Sequence, residues 1–333
     1  MRLYLLLGGI AAVILGWTAY WFYIAGEARD AVEAWVAENQ KAGVTAGYDA
    51  IEVGGFPYRI RIDLTAPRLA LPKHRQRPGW RAERLAVIGH PWNLRHLLFD
   101  LTGVHTFSGL RPDGEAELSL RNGSGRASLQ MDPDGGLQLL SLHLEDLRAE
   151  TAGQVVLDGQ EAQLHLRPSP EGNTHHDLAL RGRSLEWPGA PEGWPRRLQD
   201  LELQARINDP ALAAAAPAAL AAWRDGGGTV DLQKLLLVWG QTRIEARGTL
   251  ALDDAMRPIG ALTARITGHG QIIDAAVAAG QMSETAAIAA RTVLGLLASA
   301  AGGTLSVPVR LQDGQLFLGP VAIARLAPLS RQP

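Results

Sequence analysis

Residues 58–64, Tyr-Arg-Ile-Arg-Ile-Asp-Leu, alternate strictly between apolar and charged side chains. In an extended chain the two kinds of side chain lie on opposite faces: Tyr58, Ile60, Ile62 and Leu64 on one, Arg59, Arg61 and Asp63 on the other. A period of two residues predicts a β-strand that buries its apolar face against another layer. This stretch therefore sets the fold class for the chain around it.

Runs with the same period recur along most of the chain after residue 44. The clearest are residues 117–120, 126–131, 137–144, 154–157 and 162–166. Further strands are expected at residues 80–88, 198–207, 230–239, 243–252, 259–267, 304–311 and 315–318. Asp-Gly pairs, a strong hairpin signal, lie beside such runs at residues 113–114, 134–135, 158–159 and 313–314. The pattern predicts a mainly β (α+β) protein with a curved, largely antiparallel sheet that forms a groove or half-barrel.

Only a few helices are predicted to cover this sheet. We expect a short helix at residues 93–99, an Ala-rich helix at 210–223 that Pro217 interrupts, and two helices at 271–279 and 284–300. The last one is apolar almost all round, so it is either a core helix or a lid over an apolar groove. In the second case its lid residues would be Ile288, Val293, Leu294 and Leu297.

Residues 3–25 contain no charged side chain. As a helix these 23 residues extend roughly 34 Å, enough to cross a bilayer. The stretch ends in bulky aromatic residues: Trp17, Tyr20, Trp21, Phe22 and Tyr23. Such residues anchor a helix at the headgroups, whereas a cleaved signal has a shorter apolar run and small residues at its cleavage site. We expect an uncleaved, single-pass anchor in a bacterial inner membrane, with the N-terminus cytoplasmic and the body periplasmic; a cleaved signal is the alternative.

The expected domain organisation has four segments. Residues 1–26 form the transmembrane anchor and residues 27–43 an amphipathic helix that ends near Gly43. Residues 44–190 form a β-rich half, and residues 191–333 form a second β-rich half with helices. The two halves are separated by a segment rich in Pro, Gly and Trp and could also form one continuous domain.

Composition excludes several classes of function. With 32 basic and 34 acidic residues the net charge is −2, so nothing indicates the basic surface of a nucleic-acid binder. The chain has no cysteine, which excludes disulfides, thiol nucleophiles and cysteine metal sites. No nucleotide-binding loop, hydrolase elbow or histidine metal motif occurs. We therefore expect no catalytic residues, no metal, no cofactor and no enzymatic activity.

Two short motifs carry a family resemblance. The residues Gly54, Gly55, Phe56, Pro57, Tyr58 and Arg59, together with the later pair Pro91 and Trp92, form the signature. With the anchor, the Trp-bearing helix and the closing sequence Leu-Gly-Pro at 318–320, the chain resembles the alphaproteobacterial envelope family called domain of unknown function 2125. It is similar, more distantly, to the AsmA-like envelope proteins, which the resemblance links to lipid handling at the inner membrane.

From the residues themselves, the two glycines allow a tight bend and Pro57 suits the start or edge of a strand. We expect the motif to fix the start of the sheet; headgroup binding by Arg59 and Arg61 is the alternative. For the whole protein we expect binding of membrane lipid or other apolar envelope material. The alternative is a scaffold or assembly protein that binds another envelope protein.

Overall fold

The computed structural model describes residues 2–71, 77–109, 117–170, 175–190, 196–208, 217–300 and 305–329. The chain divides into two compact units: the first is Met1–Gln138 with Leu142–Val155, the second Leu139–Ser141 with Val156–Pro333. This division lies upstream of the Pro/Gly/Trp-rich segment that the sequence marks as a boundary. The chain is mostly antiparallel β-sheet with few helices, as the alternation predicts.

The first unit begins with a single continuous helix, α1 (Arg2–Lys41), which covers both predicted N-terminal segments. Its first part is exposed and is long and apolar enough to cross a membrane. Its second part packs on the sheet, where Trp21 and Ala25 are buried against Ile60, Ile62 and Leu64. The alternating stretch therefore buries its isoleucines and its leucine against α1, and its charged side chains face away.

The sheet of the first unit is a meander of long strands, each interrupted by a bend. Its strands are β1 (Thr45–Gly47), β2 (Ala50–Gly54), β3 (Ile60–Thr65), β4 (Arg68–Ala70), β5 (Gly79–Ala82), β6 (Arg84–His90), β7 (Asn93–Asp100), β8 (Gly103–Ser108), β9 (Leu118–Asn122), β10 (Ser124–Met131) and β11 (Leu137–Thr151). Antiparallel pairs give one row in the order β2-β3-β6-β7-β10 and a second in the order β1-β4-β5-β8-β9-β11. Residues 139–141 of β11 belong to the second unit.

A crease separates the two rows where the long strands bend. Backbone hydrogen bonds continue across it, for example from Ala66 N to Glu83 O (2.9 Å) and from Leu101 N to Gly125 O (2.7 Å). Buried polar groups satisfy the carbonyls exposed by the bend: the Asn122 amide donates to the Leu101 carbonyl at 3.0 Å. The crease is thus a hydrogen-bonded corner within a continuous pairing pattern.

The second unit is an antiparallel sheet whose strands pair in chain order from β12 to β20. They are β12 (Gln154–Pro168), β13 (His175–Glu186), β14 (Arg197–Asn208), β15 (Thr229–Trp239), β16 (Thr242–Leu252), β17 (Pro258–Thr267), β18 (Leu305–Gln312), β19 (Gln315–Leu318) and β20 (Val321–Arg325). A two-residue Asp313-Gly314 turn, with both residues at positive φ, joins β18 to β19. That turn is the hairpin the sequence predicts there.

The described part of the second unit also contains three helices: α2 (Pro217–Asp225), α3 (His269–Ala278) and α4 (Glu284–Ala300). Helices α3 and α4 pack on one face of strands β16–β20 and share a core with them. An ion pair from Arg291 to Asp274 (2.6 Å) joins the two helices. α4 is therefore a core helix, and its buried face consists mainly of alanines with Leu294.

Three local predictions are wrong. The Asp158-Gly159 pair, which the sequence marks as a hairpin signal, lies inside the single strand β12 (Gln154–Pro168). Residues 93–99, predicted as a helix, lie in strand β7, where β6 and β10 pair with it on either side. Residues 80–88, predicted as one strand, form β5 and β6 because the chain bends at Glu83 and changes rows. The Ala-rich helix predicted at 210–223 is described only from Pro217 onward, and residues 209–216 lie outside the described residues.

Candidate functional site

The second unit contains an apolar cavity on the helix-bearing face of its sheet. Its volume is about 620 Å³, within the range of small-molecule sites. Residues from every strand of the unit line it, joined by two residues of α3: Leu157, Leu185, Trp187, Ala190, Arg196, Leu198, Leu235, Leu237, Trp239, Ile244, Ala246, Leu262, Ala264, Ile266, Ile272, Ala276, Gln281, Val309, Leu316, Leu318, Ile323 and Ala324. Only Arg196 and Gln281 among them carry polar side chains.

The cavity exists because strand alternation points a continuous set of apolar side chains to one side. In β15, Leu235, Leu237 and Trp239 face the cavity, while Gln233, Lys234 and Leu236 line the polar opposite face. Trp187 is 60% exposed, and Arg196 and Gln281 are also exposed. Trp187 and Arg196 lie together, because Trp187 N donates to Arg196 O at 2.7 Å, whereas Gln281 accepts from Arg325 N of β20 at 3.3 Å.

The four predicted lid residues lie elsewhere on α4. Leu294 is fully buried in the core, whereas Ile288, Val293 and Leu297 are exposed. None of the four lines the cavity, and the helix that does so is α3, through Ile272 and Ala276. α4 supports the strands that form the cavity walls.

The signature residues converge at one end of the first unit, around α1. Gly55 to Arg59 form the loop between β2 and β3, and Pro91 and Trp92 form the turn between β6 and β7. We call these the 55–59 loop and the 91–92 turn. Their carbonyl groups accept hydrogen bonds from α1: Trp17 Nε1 donates to Pro57 O (3.0 Å), Tyr20 Oη to Pro91 O (3.0 Å) and Trp21 Nε1 to Arg59 O (3.1 Å).

Aromatic rings reinforce this docking. Trp21 meets Phe56 edge-on with centroids 5.4 Å apart, Phe22 stacks on Phe56 at 6.1 Å, and Trp17 lies 6.1 Å from Trp92. Such pairs contribute about 0.5–1.5 kcal/mol each beyond the area they bury. We call these five rings with Tyr20 the aromatic cluster. It fixes the path of α1 where the helix meets the sheet.

Gly55 is required by the geometry of the loop. Its φ is +100°, and a Cβ there would lie 2.6 Å from the Arg59 carbonyl oxygen, the same oxygen that Trp21 contacts. Gly54 has open space around its Cβ position. Of the two glycines, the second alone is demanded by the backbone. The peptide between Phe56 and Pro57 is cis.

The two arginines considered for headgroup binding differ in their surroundings. Arg59 is exposed, but Arg61 forms two hydrogen bonds to Asp63 (2.7 and 2.9 Å), which raise the pKa of its guanidinium although burial opposes the rise. The pKa of Asp100 is lowered. Burial alone would raise it, but hydrogen bonds from Thr102 and the positive charges of Arg61 and Arg84 outweigh that effect. Arg61 is thus held in an ion-pair network on the face opposite α1.

Groups suited to catalysis or metal binding do not converge in the part of the chain that the structure describes. No cluster of three His, Asp or Glu residues able to hold a metal occurs among the described residues. His105, which is buried, accepts from Trp80 Nε1 (3.3 Å) and contacts the Leu101 carbonyl through Nε2 (2.7 Å) at the crease. Its role there is structural.

A family model described as an uncharacterised protein conserved in bacteria, DUF2125, matches residues 21–327. The chain therefore belongs to this family. No curated protein and no solved structure matches it. The match begins at Trp21, the helix residue most deeply buried against the sheet.

Proposed function

We propose that the protein is a non-enzymatic, membrane-anchored envelope protein that binds a lipid acyl chain, or similar apolar material, in the cavity of its second unit. The cavity is the observation that carries this proposal. Burying an acyl chain stabilises a complex by about 0.8 kcal/mol per methylene. A cavity walled by more than a dozen apolar side chains suits that ligand better than a polar metabolite.

The proposed location is a bacterial inner membrane, with α1 spanning it, the N-terminus in the cytoplasm and the body in the periplasm. The length and hydropathy of α1 support the span. The apolar span of α1 and the apolar cavity also agree with lipid handling in the manner of AsmA-like proteins. No cofactor, nucleotide or nucleic acid enters this proposal.

Photocrosslinking tests lipid binding directly. Membranes containing the full chain are loaded with a phosphatidylglycerol that carries a diazirine on one acyl chain, irradiated and analysed by peptide mass spectrometry. We expect adducts on β15, β16 and α3 in addition to adducts on the apolar part of α1. The α1 adducts serve as the internal standard for membrane integration.

A matched pair of variants makes the test specific. Leu237→Gln places an amide in the cavity, and Leu236→Gln makes the same change at the neighbouring residue, which faces the polar side of the sheet. Adducts on the second unit should fall strongly in the first variant and persist in the second. Adducts confined to α1 in the unmodified protein would refute lipid binding by the cavity.

An envelope scaffold is the second candidate, and the outer face of α4 favours it. Ile288, Leu296 and Leu297 are 62%, 69% and 46% exposed, and an exposed apolar patch of this kind marks interaction sites. In-cell crosslinking from position 288 would distinguish the candidates. One stoichiometric protein adduct would support the scaffold, and lipid adducts in the cavity without it would support the carrier.

A further inference from the structure

We propose that the 55–59 loop and the 91–92 turn lie within the membrane interface, so that the first unit contacts the bilayer directly in addition to being tethered to it. The inference rests on the proposed membrane span of α1. It concerns a second contact surface, separate from the lipid-binding cavity. Its occupant is the headgroup region of a phospholipid bilayer.

Depth along α1 is the first argument. A helix needs about 20 apolar residues to cross the hydrocarbon core, and counting from Leu3 brings the far boundary to Phe22. The 55–59 loop is hydrogen-bonded to Trp17, five residues before that boundary, which is about 7.5 Å along a helix. Elements that rest in the interface penetrate roughly 5–10 Å. A span that starts at Leu3 therefore places the docked loop at the level of the interface.

Hydrogen bonding at the loops is the second argument. In the hydrocarbon core every backbone polar group needs an internal partner because water is absent, and near the boundary of that core an internal partner likewise replaces water. Three loop carbonyls, those of Pro57, Arg59 and Pro91, accept hydrogen bonds from indole and phenol groups of the helix. Water would satisfy the same carbonyls at an ordinary exposed loop. Indole and phenol donors at the end of an apolar helix can satisfy these carbonyls where the membrane excludes water.

The exposed side chains at the loops are the third argument. Phe56, Tyr58, Trp92 and Leu94 are 49%, 73%, 61% and 44% exposed. Purely structural docking of α1 would not require apolar and aromatic side chains to point outward. Tyr and Trp are the residues enriched at membrane interfaces.

Charge around the loops fits the same surface. Residues 53–60 and 89–99 contain no Asp or Glu, and they include two exposed arginines, Arg59 and Arg95. Cations next to interfacial aromatics favour anionic headgroups by about 1 kcal/mol each. A water-facing protein partner would not explain why apolar exposure coincides with the level of the spanning helix.

Spin labelling measures the depth of these loops, and the absence of cysteine from the chain allows single labels. Full-length Tyr58→Cys and Leu94→Cys report on the 55–59 loop and on the start of β7 beside the 91–92 turn; neither change removes a member of the aromatic cluster. Thr65→Cys, exposed at the far end of β3, is about 16 Å from the start of that strand and serves as the aqueous control. Val13→Cys, which is 73% exposed on α1, reports on the membrane span. Each protein is placed in phosphatidylethanolamine–phosphatidylglycerol vesicles.

The readout is collision with oxygen, which concentrates in lipid, and with a water-soluble nickel chelate. We expect labels at 58 and 94 to collide several-fold less with the chelate than the label at 65, and to approach the label at 13 in oxygen access. Labels at 58 and 94 that behave like the label at 65, with 13 lipid-exposed, would overturn this inference and leave the membrane span intact. A label at 13 that is exposed to water would overturn both the interface inference and the membrane span. Labels at 58 and 94 that collide with neither oxygen nor the chelate would also overturn the inference, because they would show that protein and not lipid covers the loops.

Discussion

The substitution Gly55→Ala is expected to destabilise the first unit, and its neighbour Gly54 provides the control. Alanine at position 55 must adopt a φ near +100°, which an L-residue rarely tolerates, and its Cβ would lie 2.6 Å from the Arg59 carbonyl oxygen. Backbone strain of this kind costs on the order of 1–3 kcal/mol. Relief of the contact would move the carbonyl that accepts from Trp21, so docking of α1 weakens as well.

Calorimetry of the full chain in vesicles measures the effect. For a unit of this size each 1 kcal/mol lowers the unfolding midpoint by about 2–4 °C, so Gly55→Ala should lower the midpoint of the first unit by several degrees. Hydrogen exchange of the β3 amides assigns that transition. Gly54→Ala has open space and should change stability by less than about 0.5 kcal/mol. Equal shifts for the two variants would show that the 55–59 loop does not depend on the left-handed residue.

Three further predictions concern single contacts. Trp21→Phe leaves a loop carbonyl without its donor and should cost about 1–3 kcal/mol in unfolding free energy, whereas Trp35→Phe, at an exposed ring, should be neutral by the same melt. Leu294→Ala removes a fully buried side chain from the α4 core and should cost about 2–5 kcal/mol, far more than truncation of an exposed leucine of the same helix; comparable losses would contradict the core assignment. The hydrogen bond from Lys234 lowers the pKa of Glu202, so the pair stabilises the fold above the ordinary glutamate pKa of about 4.3 and loses that contribution as pH falls through the lowered pKa. Lys234→Gln should therefore lower stability by less than about 1 kcal/mol near neutral pH and match the unmodified protein in strong acid, as urea titrations at several pH values would reveal.

The strands were predictable because burial of one sheet face leaves a period of two in the sequence. The stretch 58–64 illustrates the strength and the limit of that signal. Ile60, Ile62 and Leu64 pack as the period demands, but Tyr58 lies before the strand and is exposed. Periodicity describes residues inside a pairing ladder and says nothing about where the ladder begins.

Residues 93–99 show a different limit. Leu94, Leu97 and Leu98 are spaced as on one face of a helix, and a short apolar run cannot distinguish the two periods. Pairing with β6 and β10 decides for a strand, and that partnership is non-local. The bend at Glu83 is equally invisible, because both halves of the long strand keep their alternation while they change rows.

The candidate cavity was predictable in kind but not in position. An excess of amphipathic strand over covering helix indicates an uncovered apolar face. In β15, however, Leu235, Leu237 and Trp239 alternate with the equally apolar Leu236 and Val238, so the sequence does not show which side of this strand faces the cavity. The sequence could not show that α3, and not α4, lines the cavity. α4 is apolar on all sides, and it turns its small alanines inward so that it approaches the strands closely, which leaves Ile288 and Leu296 exposed.

The signature residues and the cavity residues belong to different units of the protein and have different roles. Every signature residue lies in the 55–59 loop, in the 91–92 turn or at the end of β2 beside the loop, and the contacts made there hold α1. The cavity is walled by ordinary strand residues without a motif. The motif residues therefore account for the attachment of the helix, and they carry no information about the ligand. Because the side-chain contacts that attach α1 begin at Trp17, residues 3–16 need contribute only length and apolarity, and substitutions there that preserve both should leave the docking of α1 unchanged. Substitutions at Trp21 should weaken that docking, because its indole donates to the Arg59 carbonyl.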